Sequence, residues 1–304
     1  MRAGLVSAAA CRKMVDTGSR PVESGRVNPL SLSSGQLDTI ASGVRRLVAN
    51  NPGFMTGPGT NTYLVGQSRY LVIDPGPADA AHIDRIVAET RGAIDGVLVT
   101  HTHGDHSPGA QLLAAKTGAS LLGRPPPGDG RQDLSFVPQR TLADGDDMRV
   151  DDLTLRALHT PGHASNHVCY LLEGSGLLFT GDHLMQGSTV VIAPPDGNMT
   201  DYLQSLERLQ REPVTRLAPG HGLTIEDGQG EIKKIIAHRL QREAKVFERL
   251  KELGPVTLDE LVTRVYDDVD PRLHPLAKSS LLAHLQKLAK EGRAIADAAR
   301  WRAA

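Results

Sequence analysis

The chain has 304 residues, a formal net charge of −1, 39% hydrophobic, 23% charged and 3% aromatic residues. This length is enough for one large domain, or for a large and a small one, and the near-zero charge gives no global field that would attract nucleic acid or a membrane surface. No apolar segment is long enough to span a bilayer, and two cysteines, Cys11 and Cys169, predict no disulfide framework and favour a reducing, cytoplasmic location.

Residues 1–40 contain Ser, Gly and Pro at short intervals without sustained periodicity, which predicts a flexible leader. Arg2 and the apolar stretch Gly4–Ala10, just before Cys11, faintly resemble a signal peptide or a lipoprotein site. That stretch is short, contains Gly and Ser, and is followed at once by two basic residues. A dispensable leader is therefore favoured over an export signal.

In residues 41–230, short apolar runs alternate with amphipathic segments. Strands are predicted at Asn61–Val65, Tyr70–Ile73, Val97–Thr100, Leu153–Leu158, His167–Leu172, Leu177–Thr180 and Arg216–Ala218. Helices are predicted at Ala81–Thr90, Gly109–Lys116 and Tyr202–Leu209. This part of the chain is expected to form one domain.

The pattern changes at about Glu231. Apolar residues recur at roughly helical spacing from Ile232 to Leu250, which predicts a long helix that ends near Gly254. Two shorter helices and a small hairpin are then predicted, at Leu258–Tyr266, Leu276–Lys290 and Ala294–Trp301. Three helices and a short ribbon favour a winged-helix-like domain over residues 231–304.

The strongest functional signal is the segment His101–His106, with the sequence His-Thr-His-Gly-Asp-His, where an apolar strand ends and a helix begins. Residues two apart on an extended segment face the same side, so His101 and His103 can bind one metal together. The chain then turns, and Asp105 and His106 can face a second position. Imidazole and carboxylate are ligands of zinc and its divalent neighbours. A surface loop that happens to be rich in histidine is disfavoured by four ligand-type side chains in six residues.

Three further ligand-type residues each follow an apolar run and are bounded by Gly or Pro. They are His163 in Thr-Pro-Gly-His, Asp182 in Thr-Gly-Asp, and His221 in Ala-Pro-Gly-His. Loops at strand ends on one edge of a scaffold are where sites are usually assembled. Each residue alone is a weak signal, since a single histidine is more often structural. Together they supply the three ligands that a two-metal site still lacks.

These motifs resemble the metallo-β-lactamase fold superfamily, whose pattern is His-x-His-x-Asp-His followed by single His, Asp and His ligands. The resemblance spans Asn61–Gly222 and implies an α+β fold, an αββα sandwich with the metals at one edge, followed here by the winged-helix-like domain. The implied ligands are His101, His103 and His163 for the first metal, Asp105, His106 and His221 for the second, and Asp182 between both. Two zinc ions are expected, with manganese or iron as alternatives.

Within that superfamily, the segment Gly57–Tyr63, the Gly-Asp-His at Gly181–His183 and the helical C-terminal part are together similar to the beta-lactamase-like protein 2 family. This similarity covers residues 51–297 and implies metal-dependent endonucleolytic cleavage of single-stranded RNA. The implied mechanism is hydrolysis by a hydroxide held between the two metals, with Asp105 orienting the water and Asp182 binding both ions.

Other residues near the motifs are candidates to support the ligands or to protonate the leaving group. Ligating histidines normally need an oriented partner, and Asp74, which follows a strand, is a candidate carboxylate for that role or only a turn residue. His159, His167 and His183 are close to the motifs in sequence. For each of the three, a supporting role is favoured over direct catalysis.

Four substrate hypotheses compete. RNA is favoured because residues 231–304 carry 15 Lys/Arg and 11 Asp/Glu, a net charge of +4, whereas residues 1–230 have a net charge of −5. The alternative is that these charges only keep a long helix solvated. Thioesters, as in glyoxalase II or acyl-carrier-protein thioesterases, are the main alternative, with the acyl chain between the metal edge and the helix Leu276–Lys290. A β-lactam substrate is disfavoured because true zinc β-lactamases lack a bridging carboxylate such as Asp182. A pure binding module is disfavoured because an open metal site is typical of catalysis. Other phosphoesters and lactones are lesser alternatives.

Overall fold

The structure is a computed structural model that describes residues 32–128, 130 and 132–304. Two large β-sheets contain most of its strands. In spatial order, the seven-stranded sheet consists of β1 (Leu37–Ala41), β2 (Val44–Val48), β3 (Asn61–Gly66), β4 (Tyr70–Ile73), β5 (Ile94–Leu98), β6 (Ser120–Gly123) and β7 (Arg140–Thr141). The five-stranded sheet consists of β12 (Arg216–Pro219), β11 (Leu177–Gly181), β10 (Val168–Leu172), β9 (Leu153–His159) and β8 (Asp147–Val150).

The two sheets pack face to face through the alternating side chains of their strands. On β3, Tyr63 and Val65 enter the core between the sheets, while Leu64 faces the opposite way. On β10, Tyr170 enters the same central core and Cys169 faces outward, fully buried under other elements. Both faces of these strands are therefore covered, which explains why they appear in the sequence as continuous apolar runs.

Helices cover the outer faces of both sheets. The first sheet packs against α1 (Ala80–Thr90) and α2 (Gly109–Thr117), and the second packs against α3 (Met199–Leu209) and the first half of α4 (Gly228–Leu253). The α3 helix begins where the side chain of Asn198 accepts hydrogen bonds from two backbone N–H groups of its first turn. The predicted αββα sandwich is confirmed.

The C-terminal part has its own core around the second half of α4. It contains α5 (Leu258–Val265), a short 3-10 helix (Pro271–Leu273), α6 (His274–Lys290) and a three-stranded sheet in the order β13 (Val256–Thr257), β15 (Arg300–Ala303), β14 (Ala294–Asp297). Thr257 caps α5 with a reciprocal bond to Glu260. These helices and the β14–β15 hairpin form the predicted winged helix. Its sheet contains one strand, β13, that the sequence did not predict.

Two predicted boundaries differ from the structure. Residues 37–40 were predicted as part of the leader 1–40, but they form β1 and pair with β2, so the sheet begins before residue 41. The boundary at residue 230 falls inside α4, which packs into the sandwich through Ile232 and into the winged-helix core through Val246. Leader residues 1–31, including Cys11, lie outside the described residues.

The described helices include none with the length and hydropathy that crossing a bilayer requires.

Candidate metal centre

The ends of four strands bring the predicted ligands to one edge of the sandwich. The segment His101–His106 lies between β5 and α2, and His163 follows β9. Asp182 and His221 follow β11 and β12, which are parallel neighbours, so their carboxyl ends lie side by side. All seven ligands predicted from the sequence meet at this edge.

Three of the histidines form one compact group. His101 Nε2 lies 2.9 Å from His103 Nδ1, and His163 Nε2 lies 3.0 Å from the same His103 atom. One nitrogen from each ring lies within 4.8 Å of the other two. Three convergent imidazole nitrogens can hold one divalent metal.

A second group lies beside the first. His221 Nε2 is 3.2 Å from Asp105 Oδ2, and His106 Nε2 is 3.6 Å from the same oxygen. Asp182 lies between the groups: its Oδ1 is 3.4 Å from both His106 Nε2 and His221 Nε2, and its Oδ2 is 3.8 Å from His163 Nε2. Asp182 therefore has the position that a carboxylate shared by two metals requires.

Two buried polar atoms at this edge are better explained by a bound metal than by hydrogen bonds within the chain. His106 Nε2 and Asp182 Oδ1 are buried and have no hydrogen-bond partner of acceptable geometry among the described residues. Leaving such an atom without a partner costs about 1–3 kcal/mol. Gly220 adds to this fit, because a Cβ there would lie 2.8 Å from both Asp182 Oδ1 and His106 Cε1. The chain thus keeps a side chain out of the space where the ligands converge.

Asp74, predicted as a partner of a ligand histidine, lies directly behind His106. Its Oδ2 is 2.9 Å from His106 Nδ1 and accepts a hydrogen bond from Thr100 Oγ1 at 2.7 Å. Its Oδ1 accepts from the Thr100 backbone N–H, also at 2.7 Å. Thr100 Oγ1 in turn lies 3.0 Å from His101 Nδ1. One buried carboxylate therefore orients two of the ligand rings through short contacts.

The outer nitrogens of two more ligand rings contact backbone oxygens. These contacts are His163 Nδ1 with the Val191 carbonyl at 2.8 Å and His221 Nδ1 with the Gly59 carbonyl at 3.3 Å. Each contact favours the tautomer in which the inner nitrogen carries a free lone pair. Only that tautomer can bind a metal through the inner nitrogen.

The other candidate histidines lie outside the metal groups. His167 is fully buried, with its ring centroid 5.1 Å from that of His101, and His183 is buried with its centroid 5.6 Å from that of His167. His159 instead contacts the Ser165 carbonyl, 3.0 Å from its Nε2. None of the three lines the cavity over the ligands. Their positions favour a supporting role.

Burial and charge at the centre set the protonation states of the candidate ligands. Burial and the neighbouring histidines hold the pKa of His101 well below its usual range and lower that of His103 to about 4, so both rings are neutral at pH 7. Burial raises the pKa of Asp105, but His106 and a hydrogen bond from His221 outweigh it and lower the pKa to about 2. Burial lowers the pKa of His106, but the surrounding carboxylates raise it well above its usual range. Burial also lowers the pKa of His221, but Asp182 and Asp105 raise it above its usual value, so His106 and His221 must release a proton before they bind a metal.

Two adjoining cavities open over the ligands. One, of about 380 Å³, is lined by His103, Asp105, His163 and Asp182 and by several apolar residues. The other, of about 440 Å³, extends to the winged helix. Both share the wall residues Met55, Met185, Val190 and Val191. We call the second cavity the apolar cleft; the residues that line it are Phe54, Met55, Met185, Ser188, Thr189, Val190, Val191, His238, Arg239, Arg242, Tyr266, Val269, Leu273, Leu276, Ala277 and Ser280.

The sequence predicted one wall of this cleft and missed the other. Leu276, Ala277 and Ser280 belong to α6, part of the helix predicted to border an acyl pocket. The opposite wall comes from Phe54–Met55 and from residues 185–191, which lie in loops without periodicity. An apolar Phe-Met pair in a loop was the available signal, since Phe54 is 75% exposed.

Comparison with known proteins agrees with this geometry. Residues 55–221 match the Metallo-beta-lactamase superfamily model, and residues 257–301 match the Beta-lactamase associated winged helix domain. A Beta-lactamase-like protein 2 homolog of Drosophila melanogaster is 32% identical over 268 residues, which cover 84% of this chain and 90% of that one. An atrochrysone carboxyl ACP thioesterase of Aspergillus chevalieri is 35% identical over 258 residues, 79% and 80% of the two chains.

A solved structure shares the fold. The beta-lactamase domain protein from Burkholderia ambifaria superposes with a TM-score of 0.75 at 23% sequence identity, over 90% of this chain and 95% of that one. The sequence resemblance is therefore confirmed in both parts of the fold. The chain belongs to the metallo-beta-lactamase superfamily, as a hydrolase that carries the beta-lactamase-associated winged helix.

Proposed function

We propose that the chain hydrolyses acyl thioesters at a centre of two divalent metal ions. The observation that carries this proposal is the apolar cleft, which adjoins the ligands and shares wall residues with the cavity above them. An acyl chain in the cleft would place its thioester carbonyl beside Asp105 and Asp182. Relatives named as acyl-carrier-protein thioesterases, such as the one of Aspergillus chevalieri, support the same class of substrate.

The proposed ligands divide between two ions. One ion is assigned to His101, His103 and His163, the other to Asp105, His106 and His221, and both to Asp182. Zinc is expected, with manganese or iron as alternatives. Bound ions would polarise the scissile carbonyl and lower the pKa of the attacking water. The Asp105 side chain is 30% exposed toward the cavity, where it can accept a hydrogen bond from that water and orient it.

Cleavage of single-stranded RNA, the first hypothesis from the sequence, has weaker support. Ten of the 15 basic residues in 231–304 form ion pairs with carboxylates, so their charge is largely neutralised within the fold. Of the three aromatic residues in 231–304, Tyr266 is buried and Phe247 and Trp301 are partly buried, so the described residues of this part offer little surface for base stacking. The surplus of +4 already counts these carboxylates and rests on the five basic residues outside the pairs, which lie on four different elements and form no run in the sequence: Lys233, Arg239, Arg264, Lys290 and Arg302.

The test offers both substrates to the same zinc-loaded protein. Acyl N-acetylcysteamine thioesters are followed by release of free thiol, and end-labelled single-stranded RNA is followed by gel. We expect thioester hydrolysis by the wild type and its loss in Asp182→Ala, because that change removes the shared ligand. Asp152→Ala, an exposed carboxylate between β8 and β9, at the end of β9 opposite to His163, is the matched control. Cleavage of RNA without thioester hydrolysis would replace this proposal with the endoribonuclease hypothesis.

A further inference from the structure

The apolar cleft contains a buried guanidinium with an unused donor. Arg239 lies on α4, is 2% exposed and lines the cleft. One terminal nitrogen donates to the Val190 carbonyl, and the guanidinium lies over the ring of Tyr202 at 5.3 Å. Its Nε has no hydrogen-bond partner among the described residues, and no described carboxylate oxygen lies within 4.0 Å of its nitrogens. A buried charge without a counterion is costly, so this position favours an anion from outside the chain.

The other groups around the cleft do not supply that anion. No Asp or Glu of the part of the chain that the structure describes lines the cleft. Arg242, the other arginine there, is already paired, with its two terminal nitrogens 2.7 and 2.9 Å from the Asp268 carboxylate. Burial and the neighbouring arginines lower the pKa of His238, so its ring adds no charge at neutral pH. Arg239 therefore leaves the cleft with one uncompensated positive charge.

A second unused donor lies in the same wall. Tyr266 is 7% exposed, and its hydroxyl has no hydrogen-bond partner among the described residues. Its ring is held by the guanidinium of Arg242, 4.4 Å from the ring centroid. A guanidinium and a phenol lining one cleft can both donate to a carboxylate, and hydrogen bonds to a charged acceptor are the strong ones.

We propose that the apolar cleft selects acyl groups with a carboxylate at the end remote from the thioester, and that Arg239 and Tyr266 bind that carboxylate. Most of the other wall residues are apolar, which suits the methylene chain between the two ends. A phosphate would bring more charge than one free guanidinium can match. The inference rests on the proposed thioesterase function and adds the substrate class: thioesters of dicarboxylic acids.

The kinetic test uses one matched pair of substrates, the N-acetylcysteamine thioester of suberic acid and the same compound with its distal carboxylate methylated. We expect the wild type to prefer the free acid about tenfold in kcat/KM, the size expected of a hydrogen-bonded charge. The preference should fall toward one in Arg239→Met and in Tyr266→Phe. Tyr266→Phe removes only a hydroxyl without a partner, so it keeps the test valid if Arg239→Met does not fold. Arg249→Met changes a partly exposed arginine of the same helix that pairs with Glu252 and does not line the cleft, and it is the control that should keep the preference.

A binding measurement separates this inference from the proposed function. Calorimetry compares ketone analogues of the same two thioesters, in which a methylene group replaces the sulfur, on the zinc-loaded wild type and on Tyr266→Phe. Both analogues are neutral and not hydrolysable at the reacting end and differ only in the distal carboxylate, which is free in one and methylated in the other. Tighter binding of the free acid to the wild type, reduced in the variant, supports the carboxylate site even if neither thioester is hydrolysed, in which case only the thioesterase function fails. Equal affinity for both analogues, or equal kcat/KM for both thioesters in the wild type, overturns the inference.

Discussion

At the scale of single residues, the contacts of Asp74 predict that metal binding depends on a carboxylate behind the candidate ligands. Its carboxylate contacts His106 and receives two hydrogen bonds from Thr100. Asp74→Asn keeps the size of the side chain but removes its charge and one acceptor. We expect zinc affinity or activity to fall by about 10–100-fold, the usual cost of losing the partner of a metal-binding histidine. Competition with a chromogenic chelator measures the affinity.

A control separates this effect from general destabilisation. Asp79→Asn changes the partly exposed residue that caps α1, whose side chain accepts a hydrogen bond from the Ala81 backbone N–H. It should leave zinc affinity unchanged, since asparagine also caps helices well. Unchanged affinity in Asp74→Asn would mean that the carboxylate does not orient His106 for metal binding.

Gly220 gives a second prediction at this scale. A Cβ at this position would lie 2.8 Å from Asp182 Oδ1 and from His106 Cε1, so both ligands would have to shift. We expect Gly220→Ala to fold but to bind less zinc per chain, as measured by plasma emission spectroscopy after gel filtration. Gly104→Ala, inside the histidine motif, meets no atom within 4 Å and should bind as much zinc as the wild type. The steric argument fails if both variants retain the same metal content.

At the scale of elements, α4 links two cores. Ile232 is fully buried in the sandwich core, and Val246 is fully buried in the winged-helix core. Ile232→Ala should lower the free energy of unfolding by about 2–5 kcal/mol in urea titrations, because it removes buried methyl groups and leaves a cavity. Lys233→Ala, an exposed neighbour, should change it by less than about 0.5 kcal/mol. A loss equally small for both variants would show that the start of α4 is not packed as described.

The elements that the sequence predicted well are those buried on both faces. The run over β10 is apolar at every position, and the helices of the C-terminal part carry clear apolar stripes. The strands before β3 were missed because β2 contains two consecutive arginines. Arg46 is nevertheless buried, since Asp38 pairs with it at 2.6 Å and the Gly222 carbonyl accepts from it. A partner 176 positions away in the chain leaves no local pattern in the sequence.

The convergence of the seven candidate ligands was predictable because their spacing is local or because each follows an apolar strand. The apolar cleft was only half predictable, since its walls come from loops near residues 54 and 190 and from α4 and α6. Loops lack the periodicity that identifies helices and strands. The unpaired donors of Arg239 and Tyr266 could not be predicted from the sequence. Only the tertiary structure shows that no acceptor among the described residues forms a hydrogen bond with them.

At the scale of the whole molecule, bound metal should stabilise the folded chain. The ligands come from four strand ends that converge only in the native fold, so an ion held there binds the folded state alone. Removing metal with EDTA should lower the midpoint of thermal unfolding by about 5–10 °C, and added zinc should restore it. Scanning calorimetry measures the shift. In Asp182→Ala the shift should be smaller, and an unchanged midpoint in the wild type would contradict a metal centre built from these ligands.

The two walls of the apolar cleft have different consequences for evolution. The reacting edge belongs to the sandwich, whereas Leu276, Ala277 and Tyr266 belong to the winged helix. Under the proposed function, substitutions in the winged helix can therefore alter the length or polarity of the acyl group accepted without moving a candidate metal ligand. A lineage with this architecture can acquire new substrates one side chain at a time while its hydrolytic chemistry stays constant.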